Sequence, residues 1–428
     1  MPYSSMIDVD GRTRDPMIRA ILVLLALAQA CAYAVAADLS HEQANGFVAA
    51  RGPDLLGPDG VPLHLRGISL ANWLLPEGYM FGFDTATSPR QIRQVFSELL
   101  GEEATNTFWS QWREQFISAD DVSDLKRMGV NLIRVPFDYR DFTPEEYPDV
   151  WVDRGFRYID HVVDWSARNG LFVLLDMHAA PCGQTGSNID NSYGDHHLYD
   201  DQRCVERMSR IWRRIAEHYA NSAAVIGYEL LNEPAPFVEG KKLNVTSLNE
   251  IYEKVSAAIR EVDTNHALFL QGANWGSAFK NFERASHIRG AIYVFHYYWS
   301  KPVEKGIRKF LDVRDRLKVP VVMGESGENT DRWIGKFRRL LERHRIGWLF
   351  WPYKKMNSSS SIRTYRAPRY WNEIVAYQRL MNAPPSKRHR LRPKRQHVLS
   401  ALNELLESVK LQNSRVNAGF VSALGLAP

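Results

Sequence analysis

Short runs of β-branched, aromatic and other apolar residues alternate along this chain with longer stretches whose apolar positions return every three or four residues. The runs are His64–Ile68, Asn131–Val135, Leu171–Met177, Val225–Leu231, Ala267–Gln271, Ile292–Phe295, Val319–Met323 and Gly347–Trp351. Their length and composition predict eight buried strands. The stretches between them predict helices over Ser118–Met128, Asp153–Asn169, Gln202–Tyr219, Ser247–Val262, Pro302–Leu317, Asp331–His344 and Arg369–Met381. In the second of these, Phe156, Ile159, Val162, Val163 and Trp165 recur at helical spacing. Glycine ends two helices, in Met128-Gly129-Val130 and Asn169-Gly170-Leu171, where a left-handed cap is favoured. Strand–helix alternation of this kind predicts an α/β protein, a closed (β/α)₈ TIM barrel forming a single catalytic domain. The crossover from Asn274 to Arg289 is the shortest, and Thr85–Phe116 is an extra helical insertion after the first strand.

Polar residues gather at the C-terminal ends of the predicted strands. Arg134-Val135-Pro136 closes the second, Asp176-Met177-His178 the third and Leu231-Asn232-Glu233-Pro234 the fourth. His296-Tyr297-Tyr298 closes the sixth, Gly324-Glu325-Ser326 the seventh and Trp351-Pro352 the eighth. In a barrel this face carries the chemistry. Glutamates at strands four and seven would face each other across the mouth. Glycoside hydrolysis needs such a pair, one acid to protonate the leaving oxygen and one carboxylate to attack the anomeric carbon. Like charges at close range disfavour double ionisation, so each glutamate supports the other's state. Arg134 would hold Glu325 ionised, His296 and Tyr298 would orient the pair, and Asn232 suits a hydrogen bond to a sugar 2-hydroxyl. No glycine-rich phosphate loop follows any strand, so no nucleotide cofactor is indicated.

The ordered set of strand-end motifs resembles glycoside hydrolase family 5, which contains cellulases, exo-β-1,3-glucanases and mannanases. The resemblance extends from about Leu65 to Met381. It implies a retaining mechanism through a glycosyl-enzyme intermediate, with Glu233 as acid/base and Glu325 as nucleophile. It also implies support of the reactive subsite by Arg134, His178, Asn232, His296, Tyr298 and Trp351. The segment Arg66-Gly67-Ile68-Ser69-Leu70-Ala71-Asn72-Trp73 fits the same family and makes Trp73 a candidate sugar platform. Trp275 and Trp299 lie just past strands five and six, where a substrate would run. The loop from Ala179 to Asn188 is similar to the third-strand loop of exo-β-1,3-glucanase-like members, with Cys182 where those carry glycine. The expected activity is hydrolysis of β-1,4 or β-1,3 bonds in β-glucan. The alternatives are the same chemistry on mannan or a glycolipid, transglycosylation, and a non-catalytic carbohydrate-binding role. Both carboxylates and their supports are present, which argues against the last. A monomer acting on an oligo- or polysaccharide, without cofactor or metal, is expected.

Charge and composition refine this layout. Of 428 residues, 45% are hydrophobic and 24% charged, enough apolar material for a large core. The formal net charge of +5 is concentrated at the C-terminus: eight Lys/Arg stand against two Glu from Pro384 onward, so the remainder is near −1. The basic balance therefore describes a tail, and nucleic acid is not an expected partner. Arg12, Arg14 and Arg19 precede the apolar run Ala20–Ala28 and a small-residue stretch to Ala37. That pattern predicts an export signal (or N-terminal anchor) over 1–37, a secreted or periplasmic location, and no stable membrane span after cleavage. The barrel is expected over 50–383, followed by a basic, partly helical or disordered tail over 384–428. Export makes a disulfide between Cys182 and Cys204 chemically reasonable. Glu229 reads as an interior carboxylate paired with Arg134 or another cation, rather than as a second acid. His196, His197, Asp195, Asp200 and Asp201 read as a polar rim rather than a metal site.

Overall fold

The computed structural model describes residues 46–428 except 193, 195, 236, 239, 240, 243, 244, 280 and 281; the side chains of 237–238, 241–242 and 245–247 are also outside the description. The expected export segment lies outside the described residues.

Eight parallel strands close into a barrel. In chain order they are β1 (Arg66–Ser69), β2 (Leu132–Asp138), β3 (Phe172–Ala179), β4 (Val225–Glu229), β5 (Ala267–Gln271), β6 (Ala291–His296), β7 (Val321–Glu325) and β8 (Trp348–Phe350). Each pairs with its sequence neighbour, and β8 closes on β1 through Trp348↔Arg66, Leu349↔Gly67 and Phe350↔Ile68. The interior at the N-terminal end is apolar: Leu65, Leu132, Leu174, Ile226, Phe269, Ile292, Val294, Val322 and Leu349 form one buried cluster. A larger cluster lies between strands and helices. The barrel therefore has a packed floor, and polar side chains collect at its other end.

The insertion after β1 forms two helices, α1 (Pro89–Leu100) and α2 (Glu102–Gln115), before the crossover helix α3 (Ala119–Met128). Ser88 and Gln91 make a capping box at the start of α1. The other crossovers carry α4 (Arg154–Asn169), α5 (Gln202–Tyr219), α6 (Val245–Arg260), α7 (Glu304–Leu317), α8 (Asp331–Arg343) and α9 (Trp371–Gln378). Among its described residues, the short fifth crossover holds a tight turn over Ala273–Gly276, with Asn274 and Trp275 left-handed, and a 3₁₀ segment, Arg284–His287.

The C-terminal segment, expected to be partly helical or disordered, contains three helices, α10 (Pro385–Arg390), α11 (Arg395–Ser408) and α12 (Ala418–Ala423). Val398, Leu402, Leu405 and Leu406 of α11 are buried against the insertion helices. Arg392 Nη2 and Arg395 Nη1 donate to the carbonyls of Leu99 and Leu100 at 2.9 and 2.5 Å, so the basic run satisfies orphan acceptors at the end of α1. Residues Arg415–Val416 add an antiparallel edge to Arg363–Tyr365, beyond β8. Three of the eight basic residues that suggest a solvated tail are thus engaged with α1, two in helix capping and Arg388 in a pair with Glu98. No described helix is long and apolar enough to cross a membrane.

Candidate active site

Arg134 is the centre from which the site is built. It sits on β2, fully buried, and spreads its five N–H donors over four acceptors. Nε donates to Glu229 Oε2 at 2.7 Å, Nη1 to Glu325 Oε2 at 2.7 Å and Nη2 to Asn232 Oδ1 at 2.8 Å; Nη2 also lies 3.0 Å from Asp176 Oδ2. Burial alone would push the guanidinium down, but Asp176, Glu229 and Glu325 outweigh it and hold the pKa above its ordinary value. The planar fork orients three strand ends, β3, β4 and β7, from one side chain.

Glu325 ends β7. Its second oxygen, Oε1, accepts from Tyr298 Oη at 2.9 Å. Both carboxylate oxygens therefore have a donor. Glu233 follows β4 in a left-handed conformation, φ +44°, which costs a non-glycine residue of order 1–3 kcal/mol and persists only when neighbours hold it. The holder is Gln271 at the end of β5, whose Oε1 accepts from the Glu233 backbone N–H at 2.8 Å.

His296 completes the pair. A register shift between Phe295 and His296 brings it level with Glu325. Its Nδ1 lies 2.8 Å from Glu233 Oε1 and 3.9 Å from Glu325 Oε1. Gln271 Nε2 donates to His296 Nε2 at 3.0 Å, which assigns the imidazole proton to Nδ1, facing Glu233. Burial pushes His296 down to about 4, so the ring is neutral. His178 is likewise lowered to about 4 by burial, with Arg134 adding to the effect. It is bonded to Asp176 Oδ2 at 2.7 Å through Nδ1 and to Asn232 Nδ2 at 3.2 Å through Nε2.

The two glutamates differ in surroundings. Burial raises Glu233 to about 7, with Glu229 adding and with His178 and Arg134 opposing. Among the described residues no Lys or Arg pairs with Glu233, whereas Arg134 contacts Glu325 directly. Ligand-type oxygens of Glu233 and Glu325 and a ring nitrogen of His296 all lie within 4.8 Å of one another. Two carboxyls so close, one favouring its proton and one paired with guanidinium, can donate a proton and attack from opposite sides of a bond.

The site opens into a cleft of about 1230 Å³. Trp351 lies in its wall, its ring 5.7 Å from that of His178 and nearly parallel, and its Nε1 donates to Tyr79 Oη at 2.7 Å. Trp275 and Trp299 line the same cleft and are 41% and 77% exposed. Trp73 does not join them. It is 2% exposed, its Nε1 donates to the Arg113 carbonyl at 2.8 Å, and it borders a separate cavity beside the insertion. The chain turns after β1 so that the ring packs beneath α2, which removes it as a platform in the cleft. Asn232 is fully buried behind the wall and links Arg134 to His178.

Cys182 and Cys204 are joined by a disulfide that ties the β3 loop to α5. Cys182 has φ +66°, a conformation that favours glycine, which accounts for the glycine that similar loops carry there. The loop is gathered by Asp190, whose Oδ2 accepts from the backbone N–H of Gln184 and Thr185 at 2.9 and 2.6 Å. Gln184 Nε2 in turn donates to the carbonyls of His178 and Asn232. His196, His197, Asp200 and Asp201 do not converge into a metal-binding set, and Asp195 lies outside the described residues. Glu229 is the interior partner of Arg134.

Sequence reasoning named Asp176 at a strand end without giving it a role, and missed Gln271, Glu77 and Tyr79. Gln271 and Asp176 had a usable signal, since both are polar residues at or near a strand end. Glu77 and Tyr79 come from the loop after β1, and only folding brings them beside Trp351.

The profile described as Cellulase (glycosyl hydrolase family 5) matches residues 95–357, more than half of the chain. The chain belongs to glycoside hydrolase family 5. A β-xylosidase of Phanerodontia chrysosporium is 31% identical over 255 residues, covering 59% of this chain and 52% of that protein. A probable glucan 1,3-beta-glucosidase A of Aspergillus fumigatus is 27% identical over 282 residues, covering 62% of this chain and 66% of that protein. This chain thus spans about half the length of the first relative and just under two thirds of the second. Among solved structures, an endogalactoceramidase superposes with TM-score 0.57 at 19% identity, over 72% of this chain and 75% of that one. A rutinosidase from Aspergillus niger superposes with TM-score 0.56 at 15% identity, over 70% and 92%. At those identities the structures share the fold.

Proposed function

We propose that the chain is a retaining β-glycosidase acting on β-glucan by double displacement, with Glu233 as acid/base and Glu325 as nucleophile. The carrying observation is the 4.8 Å limit on the distances among Glu233, His296 and Glu325. Retaining enzymes hold their carboxyls about 5–5.5 Å apart, whereas inverting enzymes need about 6.5–9.5 Å to admit water between them. In the first step Glu233 gives its proton to the glycosidic oxygen as Glu325 attacks the anomeric carbon. The bond to the leaving group breaks and a glycosyl ester forms on Glu325. In the second step the Glu233 carboxylate takes a proton from water, the water oxygen attacks the same carbon, and Glu325 is released. Arg134 and Tyr298 stabilise the departing carboxylate, and His296 orients Glu233. Trp351 supplies an apolar face for the sugar ring at the reacting subsite. The disulfide and the basic-then-apolar N-terminal segment support a secreted or periplasmic location.

A proton NMR time course on a soluble β-glucan oligosaccharide tests this reading. The β-anomer must appear first, before mutarotation. First appearance of the α-anomer would replace Glu325 as nucleophile with a base acting on water.

A further inference from the structure

The cleft is charged differently at its two ends. Beside Trp351 it carries Glu77 and Glu328, with Lys355 paired to Glu328. At the other end stand Lys301, Lys305 and Lys309, next to Trp275 and Trp299. The Trp275 backbone N–H donates to the Pro234 carbonyl at 3.3 Å, which sets that indole directly after Glu233. A leaving group departs on the side of the acid that protonates it. Given the assignment of Glu233 above, on which this inference rests, the lysine-bearing edge faces the leaving group.

That edge is firmly built. Tyr297 Oη donates to the Lys301 carbonyl at 2.7 Å, and Trp333 Nε1 donates to the Ser300 carbonyl at 2.8 Å. Helix α7 approaches so closely that a Cβ on Gly306 would lie 2.1 Å from Tyr297 Oη. Lys309 Nζ reaches across to the Ser277 carbonyl at 2.6 Å, joining α7 to the Trp275 turn. Trp275 and Trp299 both have positive φ, +59° and +51°, so the backbone holds two large indoles outward at a conformational cost. Lys301 and Lys305 have no ion-pair partner among the described residues, while Glu304 between them pairs with Arg308 and His344.

We propose that this edge is a leaving-group subsite for an aglycone with a flat apolar face followed by an anionic group, a carboxylate, sulfate or phosphate. The exposed indoles stack on the apolar face, and the unpaired ammonium groups meet the anion. A neutral glucan uses the indoles and leaves the ammonium groups without a role. Each exposed ion pair contributes little, but two acting on one anion change kcat/KM by about fivefold. The preference weakens with salt, because the groups are solvent-facing.

The test compares 4-carboxyphenyl and 4-carbamoylphenyl β-glucosides on the full-length protein and on a Lys301→Gln/Lys305→Gln variant. Taking the carboxylate-to-amide ratio of kcat/KM within each protein, then comparing the two proteins, cancels differences in leaving-group acidity. The ratio is expected to fall about fivefold in the variant, and to fall in the parent as NaCl is raised to about 0.5 M. A ratio that is the same in parent and variant and insensitive to salt overturns the subsite while leaving the glycosidase reading intact. If the parent cleaves neither glucoside but hydrolyses a soluble β-glucan oligosaccharide, the subsite is overturned and the glycosidase reading stands; if it hydrolyses none of the three, the glycosidase reading falls as well.

Discussion

Two cavities among the described residues, one beside the insertion and one at the barrel mouth, handle charge in opposite ways. The cavity beside the insertion, about 990 Å³, is lined by arginines and carboxylates that neutralise one another. Arg140 pairs with Asp138 and Glu145, Arg154 with Asp141, and Arg93 at its edge with Glu102. In the catalytic cleft one buried cation, Arg134, faces Asp176, Glu229 and Glu325, with Glu233 and Glu77 close by. Five carboxyls cannot all ionise around one guanidinium. The excess is resolved by protons: burial raises Glu233 and Asp176 each to about 7, and lifts Glu77 well above the usual carboxylate range. A balanced cavity is ordinary surface electrostatics; an unbalanced, buried one stores an acid at neutral pH.

The largest effect that should separate the two cavities is loss of the central cation. Arg134→Met leaves three buried carboxylates unpaired and should cost about 3–5 kcal/mol of stability, measured by urea unfolding, with turnover lost as well. Arg154→Ala removes a half-exposed partner from the other cavity. It should cost no more than about 1 kcal/mol and leave turnover unchanged. Equal costs for the two variants would dissolve the contrast.

Next in size is the covalent tether of the β3 loop, which borders the cleft. Cys204→Ser opens a 22-residue link and should cost about 3 kcal/mol, read as a lower unfolding midpoint relative to the oxidised parent.

The smallest effect sharpens the proton argument. Glu233 must be protonated to act as the acid, so kcat/KM should fall as pH rises through about 7. Glu229 helps to raise Glu233. Glu229→Gln removes that negative charge, so the alkaline limb should move to lower pH. A limb that stays in place would show that Glu229 does not help to set it, and one that moves up would reverse the sign of its effect.

Much of this site is legible in the chain because a barrel converts strand ends into a common mouth. Arg134, His178, Glu233, His296 and Glu325 need no long-range reasoning beyond strand order. Three matters needed the fold. Trp73 follows a strand end like the others, yet its ring turns under α2, and no local pattern distinguishes that from a cleft platform. The tail from Pro384 reads as solvated because its basic run has no carboxylate neighbours in sequence; its partners are carbonyls of α1, some 290 residues earlier. Glu77 and Tyr79 meet the cleft through the loop after β1, where sequence spacing carries no information about what faces them. Strand boundaries also shifted: β2 and β3 run on to Asp138 and Ala179, carrying polar residues inside the sheet where the hydrophobic pattern alone would have stopped.

The account stands on Glu325 forming the bond to sugar. Incubation with an activated 2-deoxy-2-fluoro-β-glucoside, which slows hydrolysis of the intermediate, followed by proteolysis and mass spectrometry, tests this directly. The account predicts time-dependent inactivation and a fluoroglycosyl adduct on the peptide bearing Glu325, absent in Glu325→Gln. An adduct on Glu233 or Glu77, with Glu325 unmodified, would contradict it.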